Sequence, residues 1–559
     1  MGEITNVKIY VEGAVKLSKK VHVLLLVLLL VAVVTVSCGP KEAVQPTKPL
    51  VWGLSADIET LNPILTESSY ETDVLNGVFS TLIKVTDELA FIPDLLVDLP
   101  EISPDGLTYT FTLRDGVTFH DGVELTAEDV KFTFTMKTAE GNNVPFRLIY
   151  NNVDTFTING PYDFQIRLKE LDVNWLQYLA YADASIVPKH IVEPEFIAGG
   201  NSLSKGGEFS RNPIGTGPYK FVEWQPTEYI SLEAYDGYFR GEPKIKKMVY
   251  KIIPDSNTMF VQFNNGEIDV FDSVPDNQYR ELLALKEQGM PIEVFNYPGF
   301  TYMHASFNMR LPVFQDKAVR QALNYAFPKE LYVETVLDNV GSVAHANTPP
   351  MSWAYNPDAK QYEYNPAKAE ELLDQAGWLP GPDGVRTKDG VRLEFTMTTI
   401  SGFKIREDFQ EIAKQEWEAI GANVSIENLE GPSFGGAIQN NNFDIIIFAW
   451  GGGFDPDSKA LWHSSQIPDE TGEGQNIVGY KNERLDQLLD AGLKETDMNE
   501  RKNIYMEVQE ILSEDVPSIF VYFYNFITAV PSSLQNFRPN PTQANNTWNM
   551  YEWEMTDGK

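Results

Sequence analysis

The segment richest in recognition chemistry is Trp450-Gly451-Gly452-Gly453-Phe454-Asp455-Pro456-Asp457. An indole can cover an apolar face, three glycines leave main-chain N–H and C=O groups bare, and carboxylates can hold a cation. Such a run suits capture of an extended solute by strand-like pairing. The alternative is a tight structural turn beside a core tryptophan. Turnover chemistry is not signalled. The sequence has neither a Gly-x-Ser-x-Gly elbow nor a His-Glu-x-x-His motif, and its six histidines (His22, His120, His190, His304, His345 and His463) lack ligand-like spacing. Gly215-Thr216-Gly217 runs into Pro218 without the third glycine of a phosphate loop. With 79 acidic side chains, paired carboxylates carry no diagnostic weight. No catalytic residue, metal site or cofactor is expected, so the chain is not expected to be an enzyme.

The elements that would position this segment are legible in the periodicity. Phe443 to Trp450 is a continuous apolar run, interrupted by Asp444, that reads as a strand buried on both faces. Tyr109–Leu113 alternates as a half-buried strand, Val117–Phe119 reads as its hairpin partner, and Thr126 to Asp129 resembles a capping box. Asp316 starts a helix carrying Val319, Ala322 and Leu323. Asn365-Pro366 starts another, which Gly377 ends. Glu411–Ile420, Leu485–Leu493 and Ile504–Leu512 read as helices, and Asn423–Ile426 and Ile519–Phe526 as strands. Irregular alternation of the two periods predicts an α/β or α+β protein.

At 559 residues, two or three structural lobes are expected. A formal charge of -35 repels nucleic acid and anionic lipid, which excludes nucleic acid as a partner. The single cysteine, Cys38, rules out an internal disulfide. Lys16, Lys19 and Lys20 precede an apolar run from Val23 to Val34, shorter than the ~20 residues that span a bilayer. Residues 1–37 are therefore read as a signal peptide. The thiol after it resembles a bacterial lipobox, although Thr35 stands where an aliphatic residue is usual. That implies lipidation at Cys38 and an exported protein anchored to the membrane, in the periplasm or on the outer face of the cell membrane. The Pro-rich stretch 38–49 reads as its tether.

Four stretches in register carry a broader resemblance: Leu113–Phe134 (LRDGVTFHDGVELTAEDVKFTF), Asn212–Trp224 (NPIGTGPYKFVEW), Phe307–Ala326 (FNMRLPVFQDKAVRQALNYA) and Tyr364–Trp378 (YNPAKAEELLDQAGW). From Leu50 onward the chain resembles the extracellular solute-binding proteins of family 5, the dipeptide- and oligopeptide-binding components of ABC importers. The resemblance implies an α/β, two-lobe periplasmic-binding-protein-like fold with a hinge and an extra domain inserted in lobe one. Lobe one would comprise 50–79, 213–298 and 525–559, the inserted domain 80–212, and lobe two 299–524. The chain would cross between lobes near Asn296-Tyr297-Pro298 and Tyr524-Asn525-Phe526.

The same resemblance assigns a function and a site. The protein would be a monomeric substrate-binding lipoprotein that closes on a solute and delivers it to ABC permease subunits. A peptide leads as the solute, with an oligosaccharide next and nickel or haem after it. Trp450, Gly451, Gly452, Gly453, Phe454 and Asp455 are the leading ligand contacts. Peptide binders of the family often place an Asp three residues past this Trp, for the ligand's α-amine; here that residue is Gly453. Either Asp455 or Asp457 takes that task, or the ligand has no amine to hold. Ala56, Asp57, Tyr302, His304, Trp462, His463 and Asn476 are further candidates.

Overall fold

The computed structural model describes residues 48–556, apart from 67, 145–146, 473 and 543–545. The signal segment 1–37, Cys38 and all but the last two residues of the tether 38–49 lie outside the described residues. No helix among the described residues is long and apolar enough to cross a membrane.

The strands that matter here are β1 (Leu50–Leu54), β2 (Glu101–Ile102), β3 (Thr108–Thr112), β4 (Val153–Ile158), β5 (Asp163–Leu168), β6 (Tyr219–Gln225), β7 (Tyr229–Ala234), β8 (Lys247–Ile252), β9 (Val270–Phe271), β10 (Ile292–Phe307), β11 (Glu394–Ile400), β12 (Asn423–Leu429), β13 (Ile445–Trp450) and β14 (Ser518–Pro531). The largest sheet has the order β12-β11-β13-β10-β14-β9-β1-β8-β7-β6, and β2-β3-β5-β4 make a separate one. In the large sheet β1 is parallel to β8 and β9, and β11 is parallel to β12 and β13. Between these parallel groups lies a long antiparallel ribbon of β10 and β14, paired from Ile292↔Pro531 to Ser306↔Ser518 with a register shift between Pro298 and Tyr302.

Residues 49–559 make one compact unit, within which apolar side chains gather in separate clusters. One surrounds Trp52, which stacks on Trp553 at 6.0 Å. A second holds Phe395, Trp417 and Ile445, and a third Phe111, Phe164 and Trp175. The ribbon is the backbone common to the first two: Phe295 packs against one and Met303 belongs to the other.

Local chemistry explains the helices near the site: α1 (Ser69–Val78), α2 (Ala127–Thr138), α3 (Lys317–Tyr325), α4 (Pro366–Gln375), α5 (Lys404–Ala419), α6 (Glu483–Gly492) and α7 (Met498–Asp515). Asp129 reaches back to accept from the Thr126 N–H at 3.0 Å. Asp316 and Asn365 cap α3 and α4 by accepting from Ala318 and Lys368, and Gly377 takes the left-handed φ of 87° that a side chain disfavours. Two expectations need correction. Val117–Phe119 is not a strand: only Thr118 bridges Glu124, because Gly116 and Gly122 adopt positive φ and fold the chain into consecutive turns. The strand β13 is buried at Ile445–Ile447 and half-buried from Phe448 to Trp450, where it leaves the sheet interior.

Candidate functional site

Chain direction decides where the reactive ends of the strands lie. Strand β13 runs antiparallel to β10, so it returns Trp450 to the level of Tyr302, near the middle of the ribbon. On the other side β9 runs antiparallel to β14 and delivers Asp272 towards the same region. The carboxyl ends of both parallel groups thus meet at the crossing, where open α/β sheets bind ligands.

A cavity of about 190 Å³ opens there. Its walls are Phe300 and Tyr302 of β10, Gly451, Gly452 and Gly453 after β13, Asp455 to Ser458, and the loop Asn347–Pro349 with Ser352. The glycines are exposed, and one of them has no room for a side chain. A Cβ on Gly452 would sit 2.9 Å from the Phe300 carbonyl oxygen. Tyr302 is buried, and its hydroxyl has no partner among the described residues.

Trp450 is beside the cavity rather than in its wall. Its ring stacks on His304 at 6.1 Å and meets Phe448 edge-on at 4.9 Å. The histidine is buried, bonded through Nδ1 to Ser306 Oγ at 2.7 Å, and burial drives its pKa down to about 3. It is therefore neutral at any physiological pH.

Phe454 turns away from the glycines and packs edge-on against Phe91 at 5.4 Å. Asp455 faces the cavity, but Arg501 of α7 grips its carboxylate at 2.6 and 2.8 Å. The two side chains are 4% and 10% exposed, so the charge is neutralised within the protein. Arg501 also donates to Asn174 Oδ1 at 2.8 Å. Asp457 lines the cavity and accepts from the Lys459 N–H, and burial raises its carboxyl above the usual range.

The remaining candidates are placed apart from the cavity wall. Asp57 follows β1 and accepts from the N–H groups of Ile58 and Thr227, both at 2.8 Å, and Ala56 is half-buried beside it. Trp462 packs on Phe520. His463 accepts from Ser465 N–H, and Asn476 ties the loop together through the carbonyls of His463 and Tyr480. Asn347, Thr348, Pro349 and Ser352 were not foreseen; the Asn-Thr-Pro-Pro run at 347–350 was their only signal in the sequence. Among the described residues no three His, Cys, Asp or Glu side chains converge as metal ligands.

The family model described as bacterial extracellular solute-binding proteins, family 5 middle, matches residues 90–469, more than half of the chain. The oligopeptide-binding protein AppA of Bacillus subtilis (strain 168) is 32% identical over 525 residues, which is 92% of this chain and 94% of that one. Its structure with a nonapeptide superimposes with a TM-score of 0.72 at 31% identity, covering 91% of this chain and 99% of that one. NikZ from Campylobacter jejuni, in complex with Ni(L-His), matches at a TM-score of 0.74 and 30% identity, over 91% and 100%. The α/β fold is that of periplasmic binding proteins, as the motifs implied. The chain belongs to the bacterial extracellular solute-binding proteins of family 5.

Proposed function

We propose that the protein captures a peptide between two lobes and hands it to the permease of an ABC importer. The observation that carries this reading is the cavity at the ribbon crossing, walled by the bare backbone of Gly451–Gly453. Main-chain groups there can pair with an extended solute, and the missing side chains let it approach closely. Two relatives fit the same picture: AppA is named for oligopeptide binding, and the Escherichia coli relative, 26% identical over 512 residues, is named a dipeptide-binding protein.

In this reading lobe one spans 50–79, 213–298 and 525–559, the inserted domain 80–212 and lobe two 299–524. Contacts that then join the inserted domain to lobe two include Phe91 with Phe454, Asn174 with Arg501, and Val173 N–H with the Leu493 carbonyl. They are the contacts of a closed form, and a ligand touching both sides favours that form. Cys38 would carry the lipid that keeps a monomeric binding protein beside its permease. In this reading the role is binding alone, in keeping with a family of solute-binding proteins.

Mass spectrometry of the solute that co-purifies with the protein tests this first. Calorimetry then compares that peptide class with β-linked oligosaccharides. Peptides bound with a rise in melting temperature support the proposal. Binding of oligosaccharides alone would replace it.

A further inference from the structure

A peptide has an amine to hold, and the acid nearest the glycines is already committed to Arg501. Another pair of acids lies at the carboxyl end of β9, outside the lining of that cavity. Asp272 follows β9 directly, at the carboxyl edge that also carries Ala56 and Asp57 after the parallel strand β1. Asp73 comes from α1 and is 8% exposed, and among the described residues its Oδ1 has no hydrogen-bond partner. Neither carboxylate has an ion-pair partner among the described residues.

Among the described residues the surroundings supply hydrogen bonds but no ion-pairing cation. Thr528 Oγ1 of the ribbon donates to Asp272, as does Asn546 Nδ2 at 3.1 Å. The same Asn546 donates to the Tyr297 hydroxyl at 2.8 Å. One helical turn after Asp73, Asn76 Nδ2 donates to Thr547 Oγ1 at 3.1 Å. Thr547 is next in the chain to the Asn546 that bonds Asp272 and Tyr297, so the two acids come to the same side of the ribbon. Burial raises the Tyr297 hydroxyl, and both carboxylates add to the rise. Burial raises both carboxyls above the ordinary range, with Asp272 adding to the rise at Asp73. Two buried acids without a cation destabilise a fold. A cation delivered by a ligand removes that penalty.

We propose that Asp73 and Asp272 form a subsite for the ammonium group of the captured solute, a proposal that rests on the peptide reading above. Tyr297 precedes the cavity residue Phe300 by three positions on β10, about 10 Å along a strand. That separation matches about three residues of an extended peptide, so the amine and the main chain near Gly451–Gly453 can be held together. An ammonium fits the site: two carboxylates and a hydroxyl can accept its three N–H donors, and among the described residues no third His, Cys, Asp or Glu joins them as a metal ligand.

The test is a competition. A tetrapeptide library with free amines is mixed in equal amount with the same library N-acetylated, and native mass spectrometry reads the bound fraction of each. Free-amine peptides should be enriched at least about tenfold on the unaltered protein, the usual strength of a charge-assisted bond. Asp272→Asn and Asp73→Asn should each cut that enrichment to below about threefold while still capturing peptides. Equal capture of both libraries by the unaltered protein overturns the subsite and leaves the peptide reading intact. Undiminished enrichment in both variants overturns it too, by placing the amine elsewhere. Capture of neither library, with an oligosaccharide bound instead, removes the peptide reading and this subsite with it.

Discussion

Gly452 offers the sharpest test at the scale of single residues. An alanine Cβ there would press against the Phe300 carbonyl at 2.9 Å, whereas one on Gly451 would meet only Thr301 Oγ1 at 3.9 Å. Gly452→Ala is expected to cost about 1–3 kcal/mol, as overpacking does, and to weaken peptide binding measured by calorimetry. Gly451→Ala should leave the solute-free stability as in the parent. Identical behaviour of the two would show that the backbone here does not approach anything closely. Trp450→Ala removes the stack on His304 and the edge contact with Phe448. For this half-buried ring the loss should be about 2 kcal/mol, below the ~3–5 of a fully buried tryptophan, so the fold survives while affinity falls. Unchanged affinity would remove Trp450 from the site.

The acid pair makes a prediction in pH. Both carboxyls lie above their unfolded values, so the stability they contribute is complete below the unfolded value of about 4 and is lost as pH rises through the raised ones. Asp73→Asn removes the share of that loss that belongs to Asp73. Its melting temperature should match the parent near pH 4 and exceed it by several degrees at pH 8, in the absence of solute. A constant difference across pH would mean that Asp73 does not titrate in this range. How much of this was legible in sequence depends on distance along the chain. The Trp-Gly-Gly-Gly run announces bare backbone by composition alone. The fate of Asp455 does not, because its partner Arg501 comes 46 residues later on another helix. Asp73 and Asp272 were invisible for the same reason: each is an ordinary acid until the fold places them around Tyr297.

At the scale of elements, α7 serves as a strut. Arg501 ties it to Asp455 after β13, to the Gly492 carbonyl of α6 and to Asn174 in the inserted segment. Removing one partner of a buried pair leaves an uncompensated charge, so Arg501→Ala should lose about 3–5 kcal/mol by chemical denaturation. Asn174→Ala cuts only the contact between the proposed bodies. It should speed solute release in stopped-flow while leaving solute-free stability nearly unchanged. Equal loss of stability with and without solute would make Asn174 an ordinary packing residue. Elements with complete local signals were readable: Asn365-Pro366 and Gly377 bracket α4, and Asp316 starts α3. Helix α5 begins at Lys404, before the expected Glu411, and its apolar stripe begins earlier too, with Ile405 and Phe409 packed on the second cluster. Val117–Phe119 had the composition of a strand, but flanking glycines at positive φ turned it into a loop.

The whole molecule is organised by its ribbon. Strands β10 and β14 thread both major cores, and with β13 they bring Phe300, Tyr302, Trp450 and the glycines to the place where they cross. The large sheet's order could not be read from sequence, since it joins strands hundreds of residues apart, such as β9 with β14. What the sequence did carry was the set of motifs in register, and these sufficed for the family. The mechanical claim built on the ribbon is that two bodies close on a solute. Small-angle X-ray scattering on the protein, first stripped of its co-purifying solute and then resupplied with it, tests that most directly. A fall in the radius of gyration on adding the solute is expected. An unchanged scattering curve at saturating solute would contradict closure.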